Sequence, residues 1–223
     1  MIYENNFKYW IFDLDNTIYD IKLGLFKKIS ERITNFIVSK YSLDIDEAKK
    51  IQKKYYLEYG LTLRGLILEK NLNPEEFLDY VHDVEHPELK KDKYLKSKIE
   101  KLKGKKIIFT NGSKKHAVNV ITKIGIEKHF DGIFDIVESE FMPKPAIEPY
   151  KKLVKKHKID PNLCVFIEDI ARNLKPAYEM GMKTVWIENN EPWAKEFSNN
   201  NFVNYKINNL SEFLKKINLA KAA

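Results

Sequence analysis

The stretch Tyr9-Trp10-Ile11-Phe12-Asp13-Leu14-Asp15-Asn16-Thr17 decides the fold of this chain of 223 residues. Its four apolar residues in a row are typical of a strand that is buried on both faces, as in a parallel sheet. Two aspartates follow at once, so the strand ends in carboxylates. Because ligands bind beyond the carboxyl ends of parallel strands, we expect Asp13 and Asp15 to lie in a functional site.

Beyond this strand, the sequence pattern is first helical and then alternating. From about residue 21 to 80, apolar residues recur every three or four positions, as they do in amphipathic helices. Apolar runs at 105–109, 132–137, 163–167 and 184–187 then alternate with helical segments. This alternation predicts an α/β fold, a Rossmann-like doubly wound parallel sheet with an inserted all-helical cap. The predicted domains are a core of residues 1–18 and 89–223 and a cap of residues 19–88.

The composition limits the classes of function. The net charge is +7 with a pI of about 9.1, but the basic residues are scattered and almost all lysine. A nucleic-acid binder and a lysine-rich solvated surface both fit this charge; we favour the surface and expect no nucleic-acid partner. Neither a signal sequence nor a membrane span is evident, and the single cysteine, Cys164, cannot form an intramolecular disulfide. We therefore expect a cytoplasmic location and no membrane partner.

Polar side chains follow three of the expected strands, and together they predict a metal site. Asp13 and Asp15 follow the first strand, Thr110 ends the second, and Glu168 and Asp169 end another. Four carboxylates near one point repel each other unless a cation compensates their charge. Oxygen ligands favour a hard ion, and Mg²⁺ suits phosphate chemistry. We predict a Mg²⁺ site formed by these four acids.

Phosphoryl transfer assigns different tasks to the two acids of the first strand. Asp13 would attack phosphorus and form an aspartyl-phosphate, an established use of a carboxylate nucleophile. Asp15, two residues further on, would protonate the leaving alkoxide and then deprotonate the attacking water.

The remaining catalytic candidates would hold the phosphate. Thr110 and the backbone N–H groups of Asn111 and Gly112 open a helix, and helix N-termini bind anions. A cation must also balance the phosphoryl oxygens. Lys144, framed by Pro143 and Pro145, fits this role.

These motifs resemble those of the haloacid dehalogenase-like superfamily along essentially the whole chain. That superfamily has an Asp-x-Asp-x-Thr motif after an apolar strand, a Thr or Ser ending a second strand, a lysine often followed by proline, and a final acidic pair. The matching residues are Asp13, Asp15, Thr17, Thr110, Lys144, Glu168 and Asp169. The resemblance implies a magnesium-dependent phosphohydrolase.

A narrower resemblance is to the pyrimidine 5′-nucleotidase-like branch. The segments Asp15-Asn16-Thr17-Ile18-Tyr19 and Tyr59-Gly60-Leu61-Thr62-Leu63-Arg64-Gly65-Leu66 match its motifs, as do Thr110-Asn111 and His116-Ala117. Ile170 stands where the branch often has serine. The resemblance implies a nucleoside 5′-monophosphate as a small-molecule phosphomonoester substrate, with Tyr19 and Arg64 as candidate substrate contacts. Arg64 has a second interpretation, an ion pair that holds the cap helices together.

Other functions remain open at this stage. A phosphosugar phosphatase or a phosphoglucomutase-like enzyme would use the same fold, because fold does not determine function. A non-catalytic binding protein on this scaffold is a third hypothesis, although every catalytic position is filled. Dehalogenation would leave Asp15 unexplained. We expect His82 and His86 to lie at the surface and His116 to be structural.

Overall fold

The apolar runs form a parallel sheet in a computed structural model that describes residues 7–220. The strands are β1 (Tyr9–Phe12), β2 (Lys105–Phe109), β3 (Gly132–Phe134), β4 (Cys164–Glu168), β5 (Lys183–Ile187) and β6 (Tyr205–Ile207). Within the described part of the chain they form one six-stranded sheet in the order β3-β2-β1-β4-β5-β6. Every pairing is parallel, which confirms the predicted α/β class. The strand β1 pairs with β2 along one edge and with β4 along the other, so it lies in the interior of the sheet. Its continuous apolar sequence fits this position.

Side chains of the sheet alternate between two hydrophobic clusters, so helices cover both faces. Trp10 and Phe12 pack with α5 (Lys93–Lys101), α6 (Lys114–Ile124) and α10 (Leu210–Ala220). Ile11 points to the other face, where α7 (Ile147–His157) and α8 (Leu174–Glu179) pack. A short helix, α9 (Pro192–Lys195), follows β5. This two-sided arrangement is the doubly wound sheet that the sequence predicted.

Four of the helices between β1 and β2, here called the insert, have a hydrophobic cluster of their own. They are α1 (Leu25–Tyr41), α2 (Ile45–Tyr59), α3 (Thr62–Lys70) and α4 (Pro74–His82). Asp44 and Glu47 form a capping box at the start of α2, and Asn73 caps α4 with Pro74 in its first turn. The cluster has these buried residues: Phe36, Ile37, Ala48, Tyr55, Leu63, Leu66, Leu72, Phe77, Leu78, Val81 and Ile136. Only Ile136 comes from outside the insert, so the helices pack mainly against each other.

The structure refines two of the predicted strands. The run at 132–137 holds a strand as far as Phe134, beyond which the Asp135 carboxylate accepts hydrogen bonds from the backbone N–H groups of Lys114 and Glu138. The run at 184–187 is followed by one further strand, the edge strand β6, which the sequence did not predict. None of the helices within residues 7–220 combines the length and the apolar character that crossing a membrane requires.

Candidate active site

The first aspartate of the opening motif lies between the ends of two strands. The Asp13 N–H donates to the Ile167 carbonyl at 2.9 Å, continuing the β1–β4 ladder for one residue past Phe12. In this register, Asp13 stands beside Glu168 of β4 on one side and next to the end of β2 on the other. The fold therefore brings the strand-end carboxylates together, as the sequence predicted.

A single buried lysine connects these carboxylates. Lys144 Nζ donates to Asp13 Oδ1 at 2.7 Å, to Glu168 Oε2 at 2.6 Å and to the Phe109 carbonyl at 3.0 Å. Its side chain is only 2% exposed. Burial opposes the charge on Lys144, but the negative charges of Asp13 and Glu168 outweigh it and raise the pKa of this lysine above its usual value. Lys144 is therefore a fixed cation inside the site.

The loop that carries Lys144 is held by a side chain of the second motif. Asn111 Oδ1 accepts a hydrogen bond from the Lys144 N–H at 2.9 Å, and its Nδ2 donates to the Lys144 carbonyl at 3.4 Å. Gly60 of the helical insert adopts φ +78, and a Cβ there would lie 3.4 Å from Pro143. The lysine backbone is thus fixed by the core and lies against the insert. Asn111, expected to hold substrate, holds this loop through its side chain.

Three acids form a cluster that suits a divalent cation. Oxygen atoms of Asp13, Glu168 and Asp169 all lie within 4.8 Å of one another, and all three residues are buried. Burial, together with the negative charge of Glu168, raises the pKa of Asp13 to about 7. Burial, together with the charges of Glu168 and Asp13, raises the pKa of Asp169 well above its ordinary value. The ammonium of Lys144 can compensate one of the three carboxylates, so a second cation is needed for all three to be ionised together. This oxygen-only donor set fits Mg²⁺.

The backbone around Asp169 keeps this cluster in place. Asn189 Nδ2 donates to Asp169 Oδ2 at 2.9 Å, and the indole of Trp186 donates to the Asp169 carbonyl at 2.6 Å. The Ile170 N–H donates to Glu168 Oε1 at 3.1 Å. Each of these two acids is oriented by a donor from the polypeptide. Both oxygens of Glu168 accept a hydrogen bond, Oε1 from Ile170 and Oε2 from Lys144, so an ion would share these oxygens. Ile170 binds Glu168 through its backbone N–H, so this contact does not require the serine that the resemblance led us to expect.

Asp15 is not part of the acid cluster, contrary to the prediction of four carboxylates around one ion. Its Oδ1 accepts a hydrogen bond from the Tyr19 hydroxyl at 2.6 Å and contacts His116 Nε2 at 2.8 Å. Burial alone would raise the pKa of Asp15, but the charge and hydrogen bond of His116, with the bond from Tyr19, hold it at about 2. Both donors bind the same oxygen of Asp15, Oδ1. Tyr19, expected to contact substrate, contacts Asp15.

The second motif forms the turn between β2 and α6. Thr110 is buried, and its Oγ1 accepts a hydrogen bond from the Gly112 N–H at 2.9 Å. Ser113 then caps α6 by accepting from the His116 N–H. The start of an eleven-residue helix therefore lies at the carboxyl edge of β2, next to Phe109, whose carbonyl binds Lys144.

Arg64 has no hydrogen bond or ion pair with any of the site residues within 7–220. It lies partly buried on α3, where Leu63 and Leu66 face the cluster of the insert. The ion-pair interpretation of Arg64 has no contact in its favour among the described residues, and the substrate contact stays a prediction. Tyr59, its neighbour in the same motif, donates its hydroxyl to Glu69.

Sequence reasoning missed three histidines of this site. His82 and His86 are buried instead of lying at the surface, and both rings contact His116. His116 in turn contacts Asp15, so it is more than a structural residue of α6. The signal was present for His116, because it lies in the first turn of a helix that starts at the strand edge. Nothing in the sequence shows which face of the insert meets the core.

Comparison with known proteins agrees with this geometry. The family model described as haloacid dehalogenase-like hydrolase matches residues 10–187, which include Asp13, Lys144 and Asp169. The chain is 32% identical over 197 residues to Phosphate metabolism protein 8 of Saccharomyces cerevisiae, a match that spans 78% of this chain and only 60% of that protein. It is 26% identical to Glyceraldehyde 3-phosphate phosphatase of Methanocaldococcus jannaschii, over 92% of this chain and 94% of that protein.

Solved structures share the fold at low sequence identity. A HAD phosphatase from Thermococcus onnurineus superposes with a TM-score of 0.62 at 20% identity, covering 93% of this chain and 96% of that chain. The HAD-hydrolase YfnB of Bacillus subtilis, solved with bound magnesium, gives 0.59 at 16% identity over 96% and 100% of the two chains. With the family match over most of its length, the chain belongs to the haloacid dehalogenase-like hydrolases.

Proposed function

We propose that this protein is a magnesium-dependent phosphomonoester hydrolase whose substrates are nucleoside 5′-monophosphates. The observation that carries the proposal is the buried ammonium of Lys144, which binds Asp13 and Glu168 beside Asp169. A cation placed between carboxylates at a strand edge lets an anionic nucleophile meet an anionic phosphate. Asp13, Glu168 and Asp169 would hold the Mg²⁺, which supplies positive charge that screens the phosphate and the nucleophile from each other.

The contacts of Asp13 define its reactive oxygen. Lys144 donates to Oδ1, and within residues 7–220 no hydrogen bond engages Oδ2. Oδ2 attacks phosphorus, and the bond from phosphorus to the leaving oxygen breaks. Asp15, which is ionised in the free protein, takes up a proton as the anionic phosphate binds beside it and delivers this proton to the leaving oxygen. Asp15 then takes a proton from a water molecule as this water attacks the aspartyl-phosphate. Inorganic phosphate leaves, and Asp13 is restored as a carboxylate.

An aromatic group beside the acids supports a nucleoside as the leaving group. Tyr56 of α2 lies 6.2 Å from Trp193 of α9, which lies 6.2 Å from Phe26 of α1. The Arg172 guanidinium carbon lies over the ring of Tyr56, 4.7 Å from its centroid. Burial raises the pKa of Tyr56; the charge of Arg172 opposes this rise, and the charges of Asp169 and Glu168 add to it. Aromatic and guanidinium planes are the surfaces on which nucleobases stack.

A second candidate substrate is a small phosphosugar. It is favoured by the match to Glyceraldehyde 3-phosphate phosphatase, which covers more than nine-tenths of both chains. A triose phosphate needs no stacking surface, so the two candidates differ in their dependence on the aromatic group.

Phosphate release from a panel of substrates tests the proposal. The purified protein is assayed with UMP, CMP, AMP, glyceraldehyde 3-phosphate and hexose phosphates, with Mg²⁺ and after chelation. We expect Mg²⁺-dependent release with the highest kcat/KM on nucleotides. Asp13→Asn should abolish activity, whereas Asp46→Asn, at an exposed position of α2, should not.

The variant Trp193→Ala separates the two candidate substrates. Base stacking on an aromatic side chain contributes about 1–3 kcal/mol, so KM for nucleotides should rise roughly tenfold or more while KM for glyceraldehyde 3-phosphate stays unchanged. Phe197→Ala, which removes an exposed ring on the same segment, is the control. Retained activity in Asp13→Asn would overturn the mechanism, and a preference for triose or hexose phosphates would overturn the nucleotide assignment.

A further inference from the structure

Three of the five histidines of the chain converge on Asp15. His116 Nε2 lies 2.8 Å from Asp15 Oδ1. The His82 ring is stacked on the His116 ring at a centroid distance of 4.7 Å and an interplanar angle of 12°, and His86 meets it edge-on at 5.6 Å. All three rings are buried. We call His82, His86 and His116 the histidine cluster.

The cluster is fixed from both sides of the site. His116 lies in the first turn of α6, whereas His82 is the last residue of α4, and His86 lies on the segment that returns from the insert. His82 Nδ1 and Ser113 Oγ are joined by a hydrogen bond of 2.9 Å. A Cβ on Gly112 would lie 3.4 Å from His116 and 3.5 Å from His82, so the backbone passes directly against the two rings. These contacts prevent the His116 ring from rotating.

The hydrogen bonds to Asp15 are asymmetric, and this asymmetry points to a task. Tyr19 and His116 both bind Oδ1, so within the described residues Oδ2 accepts no hydrogen bond. An ionised carboxylate can only accept, which means that His116 Nε2 carries the proton of this pair. Because two donors bind Oδ1, the carboxylate cannot rotate freely, and the orientation of Oδ2 is fixed as well. That free oxygen is the one that can exchange a proton with substrate or water.

A purely structural histidine does not explain these contacts. His116 Nδ1 is buried and has no hydrogen-bond partner among residues 7–220. A buried polar atom without a partner costs stability, and an apolar side chain of similar size would avoid this cost. The imidazole is thus placed where it destabilises the core and serves Asp15.

We propose that His116 is a positioning residue for Asp15, held in its orientation by the stacked ring of His82 and the edge of His86. The proposal rests on the proposed function, because it concerns the proton that Asp15 gives to the leaving oxygen. His116 fixes the Oδ1 side of Asp15, and Oδ2 faces the bond that breaks.

Leaving-group dependence tests this role. Nitrophenolate leaves without a proton, whereas the alkoxide of a nucleotide needs one, so only the second reaction depends on Asp15 as an acid. His116→Leu should lower the single-turnover rate on UMP by about 100-fold or more, the range of general-acid catalysis. The burst of nitrophenolate from p-nitrophenyl phosphate, which reports only attack by Asp13, should change less than about threefold. His116→Gln keeps an N–H donor and should recover most of the UMP rate.

Controls separate the possible outcomes. His157→Leu alters a partly buried histidine on α7, remote from Asp15, and should leave both rates unchanged. If His116→Leu does not fold, His116→Asn, which is polar but too short to reach Asp15, carries the same expectation. Equal losses on both substrates, or no recovery in His116→Gln, would overturn the positioning role alone. A wild-type protein that releases no phosphate from any substrate would overturn the proposed function and this inference with it.

Discussion

His82 shows how a buried imidazole couples protonation to stability. Burial, with a further contribution from the charge of His116, lowers the pKa of His82 from 6.5 to about 3. The groups that face it are His116, His86 and Asp15, together with the hydroxyl of Ser113. Between the two pKa values the unfolded chain binds one more proton than the folded chain. The free energy of unfolding therefore falls as the pH falls, by at most about 1.4 kcal/mol per pH unit from this residue.

Replacing this histidine should flatten the acid limb of the stability profile. At about pH 7.5 we expect His82→Gln to be less stable than the wild type, because packing is lost. On acidification to about pH 5, the free energy of unfolding of the variant should fall less than that of the wild type. Urea unfolding at both pH values measures the difference. Profiles of wild type and variant that run parallel would show that His82 does not contribute this proton.

At the residue scale, the sequence predicted which acids lie in the site but not which of them form the acid cluster. Asp13, Glu168 and Asp169 follow strands that the apolar pattern identifies, so their convergence at one edge could be deduced. The Asp15 carboxylate lies outside the acid cluster, because it binds Tyr19 and His116, and these two contacts cannot be read from a local pattern. His82 is distant in the chain from Asp15, and only the packing of the insert brings it near.

At the element scale, Gly65 sets the distance between α2 and α3. A Cβ at this position would lie 2.3 Å from Tyr55 Cγ and 2.5 Å from Tyr55 Cβ. Both residues are buried in the cluster of the insert. The helices therefore approach as closely as they do only because position 65 has no side chain, which gives a packing reason for a glycine inside a helix.

The variant Gly65→Ala should destabilise the protein by about 1–3 kcal/mol, the usual cost of overpacking, despite the better helix propensity of alanine. Thermal or urea unfolding measures the loss. In a Tyr55→Leu background the added methyl group has more room, so the loss should shrink and the two changes should be non-additive. Strict additivity would mean that the contact with Tyr55 is not the cause.

The elements differ in how far sequence predicts them. The helices α1 to α4 fall in the region whose apolar spacing predicts helices, and β4 follows its apolar run. The strand β6 has three residues with one exposed lysine and exists through its pairing with β5, so no local periodicity marks it. The helix α5 has only two buried residues among its lysines and was not predicted. Short elements of this kind depend on tertiary contacts.

At the scale of the whole molecule, the acid cluster predicts that stability depends on a cation. Asp13 has a pKa of about 7 in the folded chain, against an ordinary value of 3.8. Between these values the folded chain binds the extra proton, so the free energy of unfolding falls as the pH rises. A divalent ion that binds only the folded chain reverses this loss, by about 2.7 kcal/mol at a hundredfold excess over its Kd.

Two measurements check this dependence. Mg²⁺ should raise the Tm of the wild type at about pH 7.5, whereas Asp169→Asn should show little or no shift. Without Mg²⁺, the same variant should be more stable than the wild type by about 1 kcal/mol, because one of the repelling carboxylates is gone. An equal Mg²⁺ shift in both proteins would place the ion elsewhere.

The burial of the reacting groups bears on the motion of the molecule. Asp13, Lys144, Glu168 and Asp169 are all at most 7% exposed, and Gly60 of the insert lies against the lysine loop. We propose that residues 19–88 form a unit that moves away from the core of residues 1–18 and 89–223 to admit substrate. Each turnover then includes a displacement of this unit through the surrounding solvent.

Such a displacement is opposed by friction. When it limits turnover, kcat of the wild type should fall nearly in proportion to the viscosity of added glycerol. A variant limited by bond breaking, such as His116→Leu acting on UMP, should be insensitive to the same glycerol. Because four charged side chains are enclosed, hydrodynamic drag on the moving unit would then limit kcat, whatever the rate of bond breaking at phosphorus.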